Sequence, residues 1–559
     1  MTSREDQHLD PAEAASLRAE AGRLRAENAV QQERITDLEG QVVALAAKVA
    51  TLARLAFGKS SEKKKSARRS PAVGDGADGT PGADKAGRPR GQQPGSRGHG
   101  RRDYSHLPER EEIHDVPEDQ RACPRCGSEY ARFGEESCEQ VEWEVRLIRV
   151  VHRRPTYRRT CRCPGVPGVI AAPPPAKAIT GGRFATGFLA RLLVEKFVLA
   201  RPAHRIAAAL SFDGMEVSDG TLAGVFAALA PLLAPLAAAI TERNAAAAHL
   251  HADESRWNVF AAVEGKDSHR WWLWVFAGPD TTVLTIAPSR SLAVLAGHLG
   301  VDTSTGELPD GRELLLSSDF YSVCQSFGTL DGVGNLWCWA HIRRYFVRAG
   351  DAHPKQLRSR AADWCERIGA LYAAHTAMAA AEPGSSAQRL AAAQFSACLN
   401  GIDADRREQA PRPGLHPAAA KVLATLDREW EGLARHKQFP ELPLDNNTAE
   451  RAVRGPVVGR KNYYGSGSVV SAGLASSAWT ITATAGQAGL SPLAYLRDYL
   501  GACARAGGKA PEGAELARFF PWAAAGTDLA AWRRGAAPGP RTATADTAAE
   551  FPSAAGPAP

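Results

Sequence analysis

The stretch "AHLHADESRWNVFAAV" at residues 248–263 is where the chain changes period, from the three-to-four-residue spacing of helices to the alternation of strands. It is followed by "HRWWLWVFAG" (269–278) and "TTVLTIAP" (281–288), both rich in β-branched and aromatic residues. Next come a short helical "SLAVLAGHLG" (291–300), the apolar "GRELLLSSDFYSVCQSF" (311–327) and "NLWCWAHIRRYF" (335–346). The order predicted is three antiparallel strands, a helix, a strand, a helix and a further strand, a mixed sheet with helices on its faces.

That order is the ribonuclease-H-like arrangement, and it makes the first and fourth strands neighbours at the sheet centre. Asp253 lies in the first of them and Asp319 follows the fourth, so their carboxylates are expected to face one site. A third acid stands in "LPLDNNTAERAVRGPVVGRKNYYGSGS" (442–468), where Glu450 is followed within eleven residues by Arg451, Arg454, Arg460 and Lys461. Two readings of Glu450 compete. Asn447-Thr448-Ala449-Glu450 has the spacing of a capping box, at the start of a helix ending near Pro456. Alternatively Glu450 completes a set of three carboxylates holding two Mg²⁺ ions for an in-line displacement at phosphorus. The cations would then grip a DNA backbone, with Tyr463, Tyr464 and the Gly-Ser run letting bases or sugar edges approach.

Around this core the chain reads as a multidomain α+β protein. Leu17, Leu24, Gln31, Leu38, Leu45 and Leu52, with Ala21, Asn28, Ile35, Val42 and Val49 four positions on, form a heptad seam. Residues 12–57 are therefore expected to be a parallel coiled coil that joins copies of the chain. Residues 58–104 read as a basic disordered linker. From Phe57 to Arg102 there are 12 Lys and Arg against 4 Asp and Glu, which accounts for the whole net charge of +7 and suits a polyanion-binding arm.

In 105–175, Cys123-x-x-Cys126 sits in a Pro- and Gly-containing turn and directs two thiolates at one centre. Cys161 and Cys163 would complete a structural zinc site, with Cys138 and His152 as alternatives for the second pair. Residues 180–240 read as two helices, 183–210 and 217–240, with Ser218 and Asp219 as cap candidates and a helix-turn-helix-like DNA-binding role. The catalytic core occupies 245–345 and 441–505. A helical insertion fills 346–440, a C-terminal helical segment 506–534, and a disordered tail 535–559. The polar start "MTSREDQHLD" and the absence of a strongly apolar span point to a soluble intracellular protein.

The segments "HADES", "SDFYSVC", "CWAHIRRYF" and "DNNTAERAVR…GRKNYYGSGS" resemble the marker segments of the Asp-Asp-Glu transposases of the insertion sequence 66 family. The zipper, "FGKSSEK", "PRGQQPGSRGHGRRDYSHLP" and "CPRCG" are similar too, so the likeness spans about residues 35–505. It departs at "RRTCRCPG", where many members carry Cys-x-x-Cys, and at "HADES" for the commoner "HADET". The resemblance implies a catalytic triad of Asp253, Asp319 and Glu450 with Mg²⁺ or Mn²⁺. It places Arg451, Arg454, Arg460, Lys461 and Asn462 on DNA, and Cys123, Cys126, Cys161 and Cys163 on zinc. It further implies cleavage and strand transfer at terminal inverted repeats, a bacterial cytoplasmic, nucleoid-associated location, no membrane partner, and small accessory proteins of the same element. The rival is a catalytically inactive, repurposed transposase that acts as a DNA-binding repressor.

Overall fold

The computed structural model describes residues 146–160 and 167–533, apart from 265, 267, 303, 304 and 411, and a few isolated positions before them. The heptad segment 12–57 apart from Arg23 and Gln31, the linker 58–104, the tail 535–559 and Cys123, Cys161 and Cys163 lie outside the described residues. Cys126 is described, in a turn, with its Sγ 3.5 Å from Ser128 Oγ.

The chain divides into two compact units, residues 1–104 with 347–362, and residues 105–346 with 363–559. The described part of the first is helical. The second begins with a two-stranded antiparallel ribbon, β1 (Thr156–Arg158) and β2 (Val169–Ala171). Helices α1 (Thr186–Leu193), α2 (Ala203–Phe212) and α3 (Asp219–Ala245) follow.

The five-stranded sheet comprises β3 (His249–Asn258), β4 (Arg270–Ala277), β5 (Thr282–Ala287), β6 (Leu314–Ser318) and β7 (Val333–Trp337). Its order is β5-β4-β3-β6-β7. Strands β3, β4 and β5 pair antiparallel, whereas β3–β6 and β6–β7 are parallel. Helices α4 (Leu292–Leu299) and α5 (Ser322–Phe327) make the connections around β6. The element order expected from the sequence is met, and β3 is central. Strand β4 reads as a continuous apolar run because Leu273, Trp274, Val275 and Phe276 are all fully buried, as a strand covered on both faces requires.

Both sheet edges are covered by side chains rather than left to pair with another chain. On one side α12 (Val469–Gln487, counted after the helices below) presents Ser476, Thr480 and Thr484, one per turn, to the outer edge of β5. Their hydroxyls accept the N–H groups of Ile286, Leu284 and Thr282 at 3.0, 3.0 and 3.1 Å. On the other side Arg435 Nη1 donates to Asn335 O at 2.8 Å, and His436 Nε2 to Trp337 O at 3.1 Å.

Between β7 and the last part of the sheet's cover run α6 (Trp339–Ala352), α7 (Pro354–Ala380), α8 (Ser386–Gln409), α9 (Pro417–Arg428) and α10 (Trp430–Ala434). Then come α11 (Asn447–Tyr463), α12, α13 (Pro492–Arg505), α14 (Gly513–Ala517) and α15 (Gly526–Trp532). Helix α3 is long and apolar enough to cross a membrane by length and composition. In this fold Leu222, Phe226, Leu229, Leu232, Leu233, Leu236 and Ile240 are buried, and the helix packs on α12, so it is a core helix. Ser218 caps it as expected, accepting from Thr221 N at 3.2 Å.

Two helical readings need correction. The single helix expected over 183–210 is broken. Val194–Val198 widen into a π-turn, Ala200 takes φ 57°, and Pro202 restarts the chain as N-cap of α2. The helix expected to end near Pro456 instead runs to Tyr463. Pro456 forgoes one backbone bond, but Ala449, Val453, Pro456 and Gly459 form a buried stripe on β3 and β4 that holds the helix together.

After α11 the chain turns at Tyr464 and runs beside the end of β3. Ser466 N donates to Asn258 O and Phe260 N to Ser466 O, both at 2.8 Å. Gly465 sits in this join with φ 154°, where an added Cβ would stand 2.2 Å from Asn258 O. Gly465→Ala is expected to destabilise the protein by about 2 kcal/mol or more, read as a lowered denaturant midpoint. An unchanged midpoint would mean that this join contributes nothing to stability.

Candidate active site

Strand β3 carries Asp253 on a run whose neighbours are held in register by two partners. On the β6 side the pairs are His249↔Leu315, Leu250↔Leu316 and His251↔Ser317. Carrying that register two residues further sets Asp253 level with Asp319. Both side chains then leave the sheet on one face, because residues two apart in a strand share a face. Asp319 stands just past β6, where its Oδ1 accepts Tyr321 N at 3.0 Å. Asp253 Oδ1 accepts Glu254 N at 2.8 Å.

Glu450 is brought to the same face by α11. The N-cap of that helix is Asn446, not Asn447, and its side chain makes no cap bond. The capping-box reading of Asn447 and Glu450 is thereby overturned. Asn447 N donates instead to Asp445 Oδ1 at 3.1 Å, a local Asx turn. Asn446 is occupied elsewhere: its Nδ2 donates to Ala252 O at 2.7 Å and its Oδ1 lies 3.1 Å from His251 Nδ1. Glu450 Oε1 has His341 Nε2 at 3.9 Å and Arg344 Nη2 at 4.0 Å, both from α6. Sequence reasoning gave no role to Asn446, His251, His341 or Arg344, although each lies inside a segment it had singled out.

The basic residues of α11 divide into two groups. Arg451, Arg454 and Lys461 are exposed on one face of the helix. Arg460 is half-buried, with Nη1 donating to Ser255 Oγ at 3.2 Å. Asn462 is exposed, with its Nδ2 donating to Ala200 O at 2.9 Å. Tyr463 packs edge-on to Trp257 with Lys196 Nζ 4.1 Å over its ring, and the buried Ser466 hydroxyl accepts Trp257 Nε1–H at 3.1 Å. Of the tyrosines and Gly-Ser run expected near bases, Tyr464, Gly467 and Ser468 are exposed.

Residues 181–473 match the family described as Transposase IS66 family. The chain belongs to that family. Relatives of the transposase include two uncharacterized proteins of Sinorhizobium fredii, y4hP and y4jD. The first is 24% identical over 413 residues, covering 70% of this chain and 72% of its own. The second is 26% identical over 409 residues, covering 71% and 76%. No solved structure matches. Membership makes this an enzyme of DNA transposition, of a kind that depends on divalent metal ions.

The acids of the transposase fit such ions in chemistry. Hard divalent cations take carboxylate oxygens. Among the described residues, neither Asp253 nor Asp319 has a cation within ion-pair distance. Burial first, then the charges of Glu254, Asp319 and Glu450, push the Asp253 carboxyl up to about 7, against the Glu254 N–H that stabilises its charge. The adjacent Glu254, on the opposite face, is treated differently. Burial pushes it up as well, but Arg290 pulls it back, with Nε donating to Oε1 at 2.8 Å. That guanidinium is itself stacked between Tyr321 and Trp272. As the side chains stand, no group of three His, Cys, Asp or Glu among the described residues closes on one point.

The raised Asp253 carboxyl carries a sign for stability. The folded protein holds this proton to higher pH than the unfolded chain does, so in metal-free solution stability falls as pH rises from about 4 to about 7. Asp253→Asn removes that penalty. With chelator present, the D253N variant should be more stable than wild type at pH 8, by a few kcal/mol at most given about 1.4 kcal/mol per pKa unit. The advantage should vanish near pH 4. Equal stability at pH 8 would show that the carboxylate is not under electrostatic load.

Proposed function

We propose that this transposase cuts and joins DNA at the terminal inverted repeats of its element, using Asp253, Asp319 and Glu450 on a ribonuclease-H-like sheet. The observation that carries this reading is the β3–β6 register, which extended by two residues sets Asp253 level with Asp319 beneath α11, with no cation among the described residues within ion-pair distance of either aspartate. Burial first, then the charges of Glu254, Asp319 and Glu450, push the Asp253 carboxyl up in agreement with it. The strand order β5-β4-β3-β6-β7, with Asp253 on β3 and Asp319 just past the end of its parallel partner β6, supports it.

Asp253, Asp319 and Glu450 would hold one or two Mg²⁺ or Mn²⁺ ions. When bound, these lower the cost of charge building on the attacking and leaving oxygens of an in-line displacement at phosphorus. The protein's own residues do the rest. Arg451, Arg454 and Lys461 meet backbone phosphates from the exposed face of α11, and Arg460 does so from its half-buried place beside Ser255. Arg344 and His341 balance Glu450 until substrate and ions arrive.

Around this core, a zinc module built on Cys123, Cys126, Cys161 and Cys163 and the helical region 180–240 would contact the element's ends. The heptad segment would join protomers, and small accessory proteins of the element are partners suggested by family membership. The helical region would contribute through α2, which bears His204 and Arg205, because α3 itself bears no Lys or Arg before Arg243.

The test is cleavage of labelled terminal DNA by the purified chain with Mg²⁺. Glu450→Gln should lower the rate by on the order of 10³-fold or more while leaving affinity for the same DNA within a few-fold. Cleavage by that variant at the wild-type rate would return Glu450 to a structural role. Binding without cleavage by the wild-type chain would instead favour the repressor reading.

A further inference from the structure

The loop that delivers α11 makes an unusual set of contacts with the strand that carries Asp253. Asn446 is 1% exposed and His251 4% exposed, so the bonds between them are shielded from water. The Asn446 amide nitrogen donates to Ala252 O, the carbonyl of the peptide unit that leads into Asp253. Its oxygen therefore faces His251 and accepts from Nδ1–H. The Asn446 backbone N–H points to Cys338 Sγ at 3.2 Å, and Trp339 N donates to Leu444 O at 2.9 Å. Leu444 and Asn446 of this loop thus also fasten the start of α6, which bears His341 and Arg344.

The spacings of the two elements match. Glu450 N donates to Asn446 O at 3.2 Å, so the two side chains lie one turn apart on one side of the helix, about 6 Å along its axis. His251 and Asp253 are two strand residues apart on one face, about 6.6 Å. Seating Asn446 on His251 and Ala252 therefore brings Glu450 level with Asp253. The charge effect of Glu450 on Asp253 agrees with that placement.

We infer that Asn446, with His251 as its partner, is a positioning residue that sets the separation and alignment of the Asp253 and Glu450 carboxylates for a divalent cation. This rests on the proposed function of those acids. An amide suits the task because it both donates and accepts, and so fixes two points of β3 at once, which an aliphatic residue of equal size cannot do.

The experiment is a Mn²⁺ titration of the full-length protein followed by electron paramagnetic resonance, which reports bound ion without any turnover. Asn446→Ala should weaken Mn²⁺ binding about 10- to 100-fold, and His251→Phe, which keeps a planar ring at the position and loses one bond, should shift it less in the same direction. Thr484→Val, which removes an edge-covering hydroxyl from α12, should lower the melting temperature with no change in Mn²⁺ midpoint. If Asn446→Ala does not fold, His251→Phe decides. An unchanged midpoint in the folded Asn446→Ala and His251→Phe variants would overturn the positioning role while leaving the metal site standing. Failure of the wild type to bind Mn²⁺ at all would overturn both.

Discussion

An ionisable carboxyl on the central strand of a β-sheet, half-buried and surrounded by like charges, is the constraint on which the rest of this molecule depends. Asp253 is in that position, and its neighbour Glu254 shows what a structural solution to the same problem looks like. Glu254 is met by a guanidinium held between two aromatic rings. Asp253 is given a backbone N–H and two further acids. Two successive residues of one strand thus face opposite chemical surroundings, and the unbalanced one lies on the face where α11 packs. Such an arrangement is stable enough to persist only if the surrounding fold is over-determined.

The scaffold meets that need by leaving little freedom around β3. The strand is central and paired on both sides, and both outer edges of the sheet are sealed by side chains of helices and turns. The hydroxyls of Ser476, Thr480 and Thr484 form a ladder along β5, and Arg435 and His436 take the carbonyls of β7. Helix α11 is seated by a stripe of small and β-branched residues below and by Asn446 at its start. Its outer face is left to Arg451, Arg454 and Lys461. Rigidity beneath and exposed positive charge above are what an enzyme acting on a long polyanion requires.

Much of this was legible in the sequence. The change of period at 248, the apolar run of β4 and the order of strands and helices follow from side-chain spacing alone, and they placed Asp253 and Asp319 on neighbouring strands. What was not legible depended on contacts distant in sequence. Asn446 and His251 are 195 residues apart, and nothing local distinguishes Asn446 from Asn447 as the residue that docks. The Asn-x-x-Glu spacing pointed to the wrong cap for that reason. Pro456 looked like a helix end because local rules cannot see the buried stripe that carries α11 through it. The break at 199–202 was hidden by a helical pattern continuing on either side of Pro202. Asn462 reads as a polar residue among cations, yet its partner is a carbonyl more than 260 residues earlier.

The most direct measurement is diffraction at the manganese absorption edge from crystals of the full-length protein grown with terminal DNA and Mn²⁺. Anomalous density bounded by the carboxylates of Asp253, Asp319 and Glu450, with phosphate oxygens of the DNA completing the coordination, is the expected result. Density at other residues only, or none with DNA seated on α11, would contradict a metal-dependent site built on these three acids.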